Sequence, residues 1–521
     1  MIFIPYILFL ILLFLILGSK KITFLENFNV ISFINNVPNV YIYVLLFFTT
    51  MVTQFYTLNT ETLNWDINTY VVMGQDILRG NLPYERQFDN KGPLFYLLYS
   101  IPAISGKIYV VRIFNDLTLS FLVCTMYLLS TKLKPNLSKI YKLIPPVYFL
   151  LYMSYPIGHA GMSEVYALLF ISLGINSVLS PLSNKFKNFN TGLFFSISYL
   201  ITQSVILLIS GVSILIIYKI IKEKRFKQLG LLTIGALFPL VILIVIYAAN
   251  DLLYVLLYTL FIFPIIYTSD KTSESYLSFI DHLTEYLYLE NYFSLGLITI
   301  FIFIFFIIDI LKKLFTISKP GSNWLIVFLL TALSIISFFN VSVPWWHYLI
   351  YYFFFSSFTL LFLKSNKFMN TVPFLLLLCS LNVIPFMVRD NVKIISNFSN
   401  IEMNYPIYSD YKLLSSTYKI NSITALSNQL ILYYFNLPSE NYLVHPSNYQ
   451  KDSYINGLSQ ANLLKENEIE NLIINGDSDL LICNQLYLQD CEKSEYYDLF
   501  FQSDQQIYYF INKKTVSKLH K

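Results

Sequence analysis

Along the first three quarters of the chain, apolar runs alternate with short polar loops. The runs are about 17–25 residues long, enough to cross a hydrocarbon core of roughly 30 Å as helices. Helices suit lipid because each satisfies its own backbone polar groups. A closed β-barrel would instead show short alternating segments, and the sequence does not show them. The first run, Ile2–Leu17, precedes Lys20 and Lys21. No basic region leads into it and no small-residue cleavage site follows, so it predicts an uncleaved helix. Val40–Tyr56 then crosses outward, and Ile108–Ser130 returns. Between them lies a long polar loop, Thr57 to about Lys107, whose apolar patch Leu94–Ile104 predicts a stretch lying along the interface.

Later runs follow the same rhythm. Ile144–Ile157 exits and Val165–Leu179 re-enters, joined by the turn Gly158–Glu164. Leu193–Ile221 is interrupted by Thr202, Gln203 and Ser204, which predicts two short helices meeting near the outer surface. Leu229–Ala249 exits into a second outer loop, Asn250 to about Asn291. Tyr292–Leu311, Trp324–Phe339, Leu349–Leu363 and Val372–Val388 complete the series, with Asn340–Tyr348 as a short aromatic outer turn. Lysine and arginine mark every loop of one parity: Lys132 to Lys142, Lys185 and Lys187, Lys222 to Lys227, Lys312 to Lys319, and Lys364 with Lys367. That bias sets those loops in the cytoplasm and gives about twelve crossings. The loops that hold acids, and the tail, then fall outside.

From about Arg389 the pattern turns polar. Ser422–Leu426, Tyr442–Val444 and Leu480–Cys483 read as short strands; Gln429–Phe435 and Ala461–Leu472 read as helices. Leu499–Phe501 and Gln506–Ile511 read as a closing hairpin. This alternation predicts a small α/β domain. The expected organisation is a membrane domain over 1–388, with outer loops 57–107 and 250–291, and an extracytoplasmic domain over 389–521.

Composition agrees. The chain is 56% hydrophobic and 13% charged, which excludes an ordinary soluble globule, where charged residues make up about a quarter. The net charge is only +4 and its basic residues mark topology, so nothing points to nucleic acid. Of four cysteines, Cys124 and Cys379 lie in apolar runs as packing residues. Cys483 and Cys491 lie close together in the tail, where an outer location makes a disulfide plausible. No His/Cys/Asp spacing is diagnostic of a metal; a divalent cation is compatible with the sequence but not called for.

The first outer loop concentrates the candidate chemistry. Asp66 follows Trp65 and opens a helical run, Ile67–Leu78, that ends at Gly80 before the turn Pro83-Tyr84. Asp89 and Lys91 come just before Gly92-Pro93 and the apolar patch, so acid and base return to one membrane edge. Alone, each residue has a plain reading. Asp66 can be a solvated loop carboxylate, and Arg112 can snorkel to the interface. Glu164 can solvate a tight turn, His347 beside Trp345 and Trp346 can anchor a helix end, and Tyr348 fits an interfacial belt. His445 in the tail reads as structural or surface.

The pattern Asp66, Tyr70, Gly74-Gln75, Leu78-Arg79-Gly80, Pro83-Tyr84, Asp89, Lys91-Gly92-Pro93-Leu94, Tyr96 resembles the first external loop of the polyprenyl-phosphate-sugar-dependent, C-type membrane glycosyltransferases. These include bacterial relatives of the protein O-mannosyltransferases and the lipid A aminoarabinose transferases. Arg112 matches an arginine that often opens their next helix, Glu164 an acid in their second outer turn, Gln203 a Lys-Gln or Lys-Pro patch, and His347-Tyr348 a late His-Tyr pair. The chain departs in having Ile67 where many members carry a second acid, and Thr202 where they carry lysine.

The resemblance implies a polytopic α-helical membrane protein of the C-type glycosyltransferase kind, in the bacterial plasma (inner) membrane. It implies inverting transfer of a sugar from a polyprenyl phosphate to an acceptor hydroxyl on the outer face, in lipopolysaccharide or protein glycosylation. The acceptor is a glycan, a lipid or a protein. Asp66 is then the general base, with Lys91 and Arg112 on the donor phosphate. Asp89, Tyr70, Tyr84, Glu164, Gln203, His347 and Tyr348 are further site candidates. The chemistry is consistent: one carboxylate can take the acceptor proton, and the leaving phosphate needs only cationic stabilisation. A transporter or flippase would place ionisable groups at the bilayer midplane, whereas here they sit in loops and at helix ends. A ligase or polymerase of lipid-linked glycans is the other alternative.

Overall fold

The computed structural model describes residues 34–154, 160–180, 186–269, 322–339, 346–362, 391–392, 394–396, 398–465, 467–503 and 506–519. The expected helices Ile2–Leu17, Tyr292–Leu311 and Val372–Val388, the residues Gly158 and His159, the second half of the 250–291 loop, and Asn340–Trp345 lie outside the described residues. Contacts divide the chain into two units. One comprises Met1–Tyr56, Asn115–Val241 and Lys271–Ile395; the other comprises Thr57–Phe114, Ile242–Asp270 and Ser396–Lys521.

The first unit is helical in its described residues. Four described helical stretches are long and apolar enough to cross a membrane: Asn39–Asn59, Ile108–Leu133, Gln203–Lys222 and Phe226–Ala249. Ser163–Val178, Asn323–Phe338 and Leu349–Phe362 are shorter apolar helices. The expected break after residue 201 is present. Phe186–Ile201 ends, Thr202 is extended (φ −152°), a 3₁₀ turn runs Gln203–Val205, and Ile206–Lys222 resumes. Side chains stand by at the break: the Thr202 and Ser204 hydroxyls are 3.1 Å apart, and Ser204 Oγ lies 2.8 Å from the Tyr351 hydroxyl. An interrupted helix is tolerated in an apolar setting when such groups attend it.

Two of the basic loop residues close a helix end. Lys132 donates from Nζ to the Asn176 carbonyl (2.7 Å) and to Ser180 Oγ (2.8 Å), and Lys187 donates to the Ser180 carbonyl (2.9 Å). Both cations therefore sit at the C-terminal end of Ser163–Val178, where a helix presents its negative pole. Helices Phe186–Ile201 and Phe226–Ala249 touch backbone to backbone: a Cβ on Gly192 would lie 2.1 Å from the Leu232 carbonyl oxygen. Small residues permit that approach where lipid offers no hydrophobic drive.

The second unit carries a four-stranded sheet. β1 is Ile423–Ala425, β2 Leu480–Cys483, β3 Tyr497–Gln502 and β4 Tyr508–Asn512, in spatial order β1-β2-β4-β3. β1 and β2 are parallel; β4 is antiparallel to both β2 and β3. β2 and β4 are buried along their whole length, as their apolar runs require. Leu426, Ile473, Leu481, Tyr497 and Phe510 form the core with Cys483 and Cys491, which are joined in a disulfide.

Two local expectations are corrected. Tyr442–Val444 adds no strand to this sheet. It makes a single parallel bridge, Leu443 to Phe88, in which Phe88 N–H donates to the Tyr442 carbonyl (2.6 Å) and Val444 N–H to the Phe88 carbonyl (3.2 Å). Nor is Ala461–Leu472 one helix. Asp452–Gln460 and Glu468–Asn475 flank a turn in which Asn462 and Asn467 take φ of 56° and 54°. Asparagine tolerates the left-handed region; Asn462 follows the end of the first helix and Asn467 immediately precedes the start of the second.

Candidate active site

The loop expected to hold the chemistry is two helices and a structured turn. Trp65–Leu78 begins at Asn64, whose side-chain oxygen accepts from the Asp66 N–H at 2.8 Å. That cap places Asp66 in the first turn, where the helix end favours a negative charge. Pro93–Ala103 starts after Gly92 with proline at its first position. The two helices pack closely: a Cβ on Gly74 would lie 2.7 Å from the Tyr99 carbonyl carbon and 2.8 Å from Ser100 N. Only glycine fits there without displacing backbone.

The turn between them is pinned by buried and half-buried polar groups. Arg79 donates to Gln75 Oε1 (2.8 Å) and pairs with Asp76 (3.4 Å), and Asn81 donates to Asp76 (2.9 Å). Gly80 takes φ +95° and Tyr84 φ +71° to reverse the chain. The Tyr84 hydroxyl donates to the Lys91 carbonyl. Lys91 N–H donates to the Tyr96 hydroxyl (3.0 Å), which donates in turn to Asp89 Oδ2 (2.7 Å). Asp89 and Lys91 are both buried. Tyr84, Asp89 and Tyr96 thus fix the backbone from which Lys91 projects. Tyr70 packs its ring on Phe95 and Tyr99, with centroids 4.6 and 5.6 Å apart, and is part of the apolar support.

Asp66 has a partner that sequence reasoning did not find. His445 Nε2 lies 2.8 Å from Asp66 Oδ1, with the carboxyl side chain 25% exposed. The imidazole is itself held: its Nδ1 accepts from the Ser447 N–H (3.3 Å) and lies 2.8 Å from Ser447 Oγ, at the head of the 3₁₀ turn Pro446–Gln450. Of the structural or surface role expected of His445, burial excludes the surface half, the cap on the 3₁₀ turn bears out the structural half, and the ring also faces the candidate base. Gln429 reaches the same helix end, donating to the Trp65 carbonyl (3.1 Å) and Thr69 Oγ1 (2.8 Å).

Arg112 lies near the start of Ile108–Leu133 and is 1% exposed, so it does not snorkel. Its Nη2 donates to the Glu61 carbonyl at 2.6 Å. Glu61 is the second residue the sequence reading passed over. Its Oε2 accepts from Ile407 N–H (2.7 Å), and its Oε1 accepts from Tyr408 N–H (2.8 Å) and the Tyr434 hydroxyl (2.6 Å). It caps helix Pro406–Thr417 across the sequence. Burial raises its pKa from 4.5 to about 7, against the pull of those three donors. A lone acid five positions before Asp66 in so apolar a chain was the available signal.

The remaining candidates belong to the first unit. Glu164 is fully buried in the first turn of Ser163–Val178, accepting from Ser163 Oγ at 3.1 Å, so it does not serve to solvate a turn. Gln203 lies in the 3₁₀ break. His347 and Tyr348, both buried, stand ring to ring at 4.3 Å in the turn Trp346–Tyr348. Among the described residues, no group of three or more His, Cys, Asp or Glu is placed to hold a metal ion.

A search of solved structures finds ArnT from Cupriavidus metallidurans, determined with undecaprenyl phosphate bound. The match covers 90% of this chain and 96% of that one, with a TM-score of 0.54 and 11% sequence identity. This chain has the fold of ArnT. No protein-family model and no curated protein matches the sequence. The likeness in fold covers far more of the chain than the loop whose motif resembles the C-type glycosyltransferases, and it identifies a polytopic membrane architecture.

Proposed function

We propose that the protein is a membrane glycosyltransferase that moves a sugar from a polyprenyl-phosphate donor to an acceptor hydroxyl on the outer face, with inversion at the anomeric carbon. One observation carries the reading. A partly exposed carboxylate, Asp66, sits at a helix N-terminus in the loop that bears the family-like motif, within a chain whose fold matches a protein solved with undecaprenyl phosphate. Asp66 takes the acceptor proton as the acceptor oxygen attacks, and the lipid phosphate leaves with the bonding electrons. Lys91 and Arg112 offset the charge that develops on the phosphate. Arg112 also holds the Glu61 carbonyl through Nη2.

In this account the apolar helices flanking the loop receive the prenyl chain, and the tail lies outside the cytoplasm over about twelve crossings. The acceptor is a glycan, lipid or protein hydroxyl. The test is turnover by the purified protein in liposomes, supplied with polyprenyl-phosphate sugar and envelope extracts as acceptor source. The expected products are free polyprenyl phosphate and an acceptor heavier by one sugar. Block transfer or chain extension would assign a ligase or polymerase, and movement of intact donor across the bilayer would assign a flippase.

A further inference from the structure

Whatever proton Asp66 accepts, its carboxylate must be held in a fixed orientation, and the residue that meets it comes from the far end of the chain. His445 Nε2 is 2.8 Å from Asp66 Oδ1. The other ring nitrogen settles the tautomer. Nδ1 accepts from the Ser447 backbone N–H, so it carries a lone pair, and the ring proton resides on Nε2. The contact with Asp66 is therefore an N–H donor on a carboxylate oxygen. The ring has little freedom: its side chain is 11% exposed, Ser447 Oγ stands 2.8 Å from Nδ1, and the Trp65 ring lies beside it with centroids 6.4 Å apart. The segment before it is tied to the same loop, since Leu443 bridges to Phe88 and the Tyr442 hydroxyl donates to the Tyr84 carbonyl at 3.0 Å.

We infer that His445 is a positioning residue for the Asp66 carboxylate, delivered by the C-terminal segment, and that this segment completes the active site. The inference rests on the glycosyl-transfer reading given above. In the step, the acceptor O–H bond breaks and its proton goes to the Asp66 carboxylate. The acceptor oxygen bonds to the anomeric carbon, the bond from that carbon to the phosphate oxygen breaks, and its electron pair stays on the lipid phosphate. His445 neither gains nor loses a proton. It orients the carboxylate and keeps the negative charge on Asp66 through a neutral donor. A positioned group that acts through another is expected to affect turnover more than ground-state binding.

The experiment compares His445→Gln, whose amide N–H can reach the position of Nε2, with His445→Met, which fills the space without a donor. Both are assayed in liposomes with polyprenyl-phosphate sugar. His445→Met is expected to lower kcat about ten- to a hundredfold, the range of one hydrogen bond to a charged group, with the donor KM unchanged. His445→Gln is expected to recover most of that loss. In an Asp66→Asn background, His445→Met is expected to cost nothing further, because the carboxylate it serves is gone. Equal loss in the Gln and Met variants, a rise in donor KM with kcat intact, or full activity in His445→Met would overturn the inference. If the unmodified protein itself fails to turn over the donor, it is the transferase reading that falls; an active protein that depends on Asp66 but not on His445 leaves that reading standing and removes only this one.

Discussion

Replacing Asp66 by Asn lowers kcat by about 10²–10⁴-fold, the usual contribution of a general base, while expression and membrane insertion stay intact. The substitution is nearly isosteric. The Asn64 cap is retained because it uses the Asp66 backbone N–H and not its side chain. The amide oxygen can still accept from His445, so the ring stays in place. What is lost is a group able to take a proton at neutral pH. Donor binding is therefore expected to persist, visible as an unchanged affinity for polyprenyl phosphate beside a collapsed turnover. Substantial transfer by the variant would remove Asp66 from the mechanism.

Replacing Glu61 by Leu destabilises the second unit by about 3 kcal/mol or more. Each buried donor left unsatisfied costs about 1–3 kcal/mol, and Glu61 serves three: Ile407 N–H, Tyr408 N–H and the Tyr434 hydroxyl. Two of these are the orphan amides at the start of Pro406–Thr417, so the helix loses its cap as well. The same residue gives stability a pH dependence. Its folded pKa is about 7 against 4.5 for the ordinary carboxyl. Below the ordinary value both states hold the proton and there is no penalty. As pH rises, the unfolded chain releases its proton first, and stability falls until the pH passes the folded value. The total loss is about 3 kcal/mol, from roughly 2.5 pKa units at 1.36 kcal/mol each. Thermal unfolding followed from pH 5 to pH 8 should show this decline, and Glu61→Gln should flatten it. A midpoint that rises over that window in the unaltered protein would refute the assignment.

Glu61 and His445 show where sequence reading ends. The helices were legible because their cause is local. Apolar length sets Ile108–Leu133 and Phe226–Ala249, and the polar interruption at Thr202–Ser204 sets the break seen there. Asp66 was legible as the opening of a helix because Trp65, Gly80 and Pro83 punctuate its neighbourhood. The hairpin of β3 and β4 and the strand β2 followed from strand patterning. His445 and Glu61 were not legible as site residues. Their partners lie at the opposite end of the chain, and neither periodicity nor spacing encodes a pairing across that distance. The turn at Asn462 and Asn467 was missed for another reason: the apolar period of Ala461–Leu472 suits a helix, but backbone torsions at two asparagines decide otherwise. Tyr442–Val444 has the composition of a strand, and only the fold reveals that it pairs with Phe88 instead of the sheet.

The claim beneath all of this is that the Asp66 loop faces the outside, where the lipid-linked sugar is presented. Cysteine labelling in intact cells tests it most directly, with a membrane-impermeant maleimide applied to Arg86→Cys and to Lys224→Cys, two exposed positions in loops of opposite parity. The account predicts that Arg86→Cys is labelled at once and Lys224→Cys only after the membrane is permeabilised. Labelling of Lys224→Cys from outside, with Arg86→Cys protected, would put the loop in the cytoplasm and contradict it.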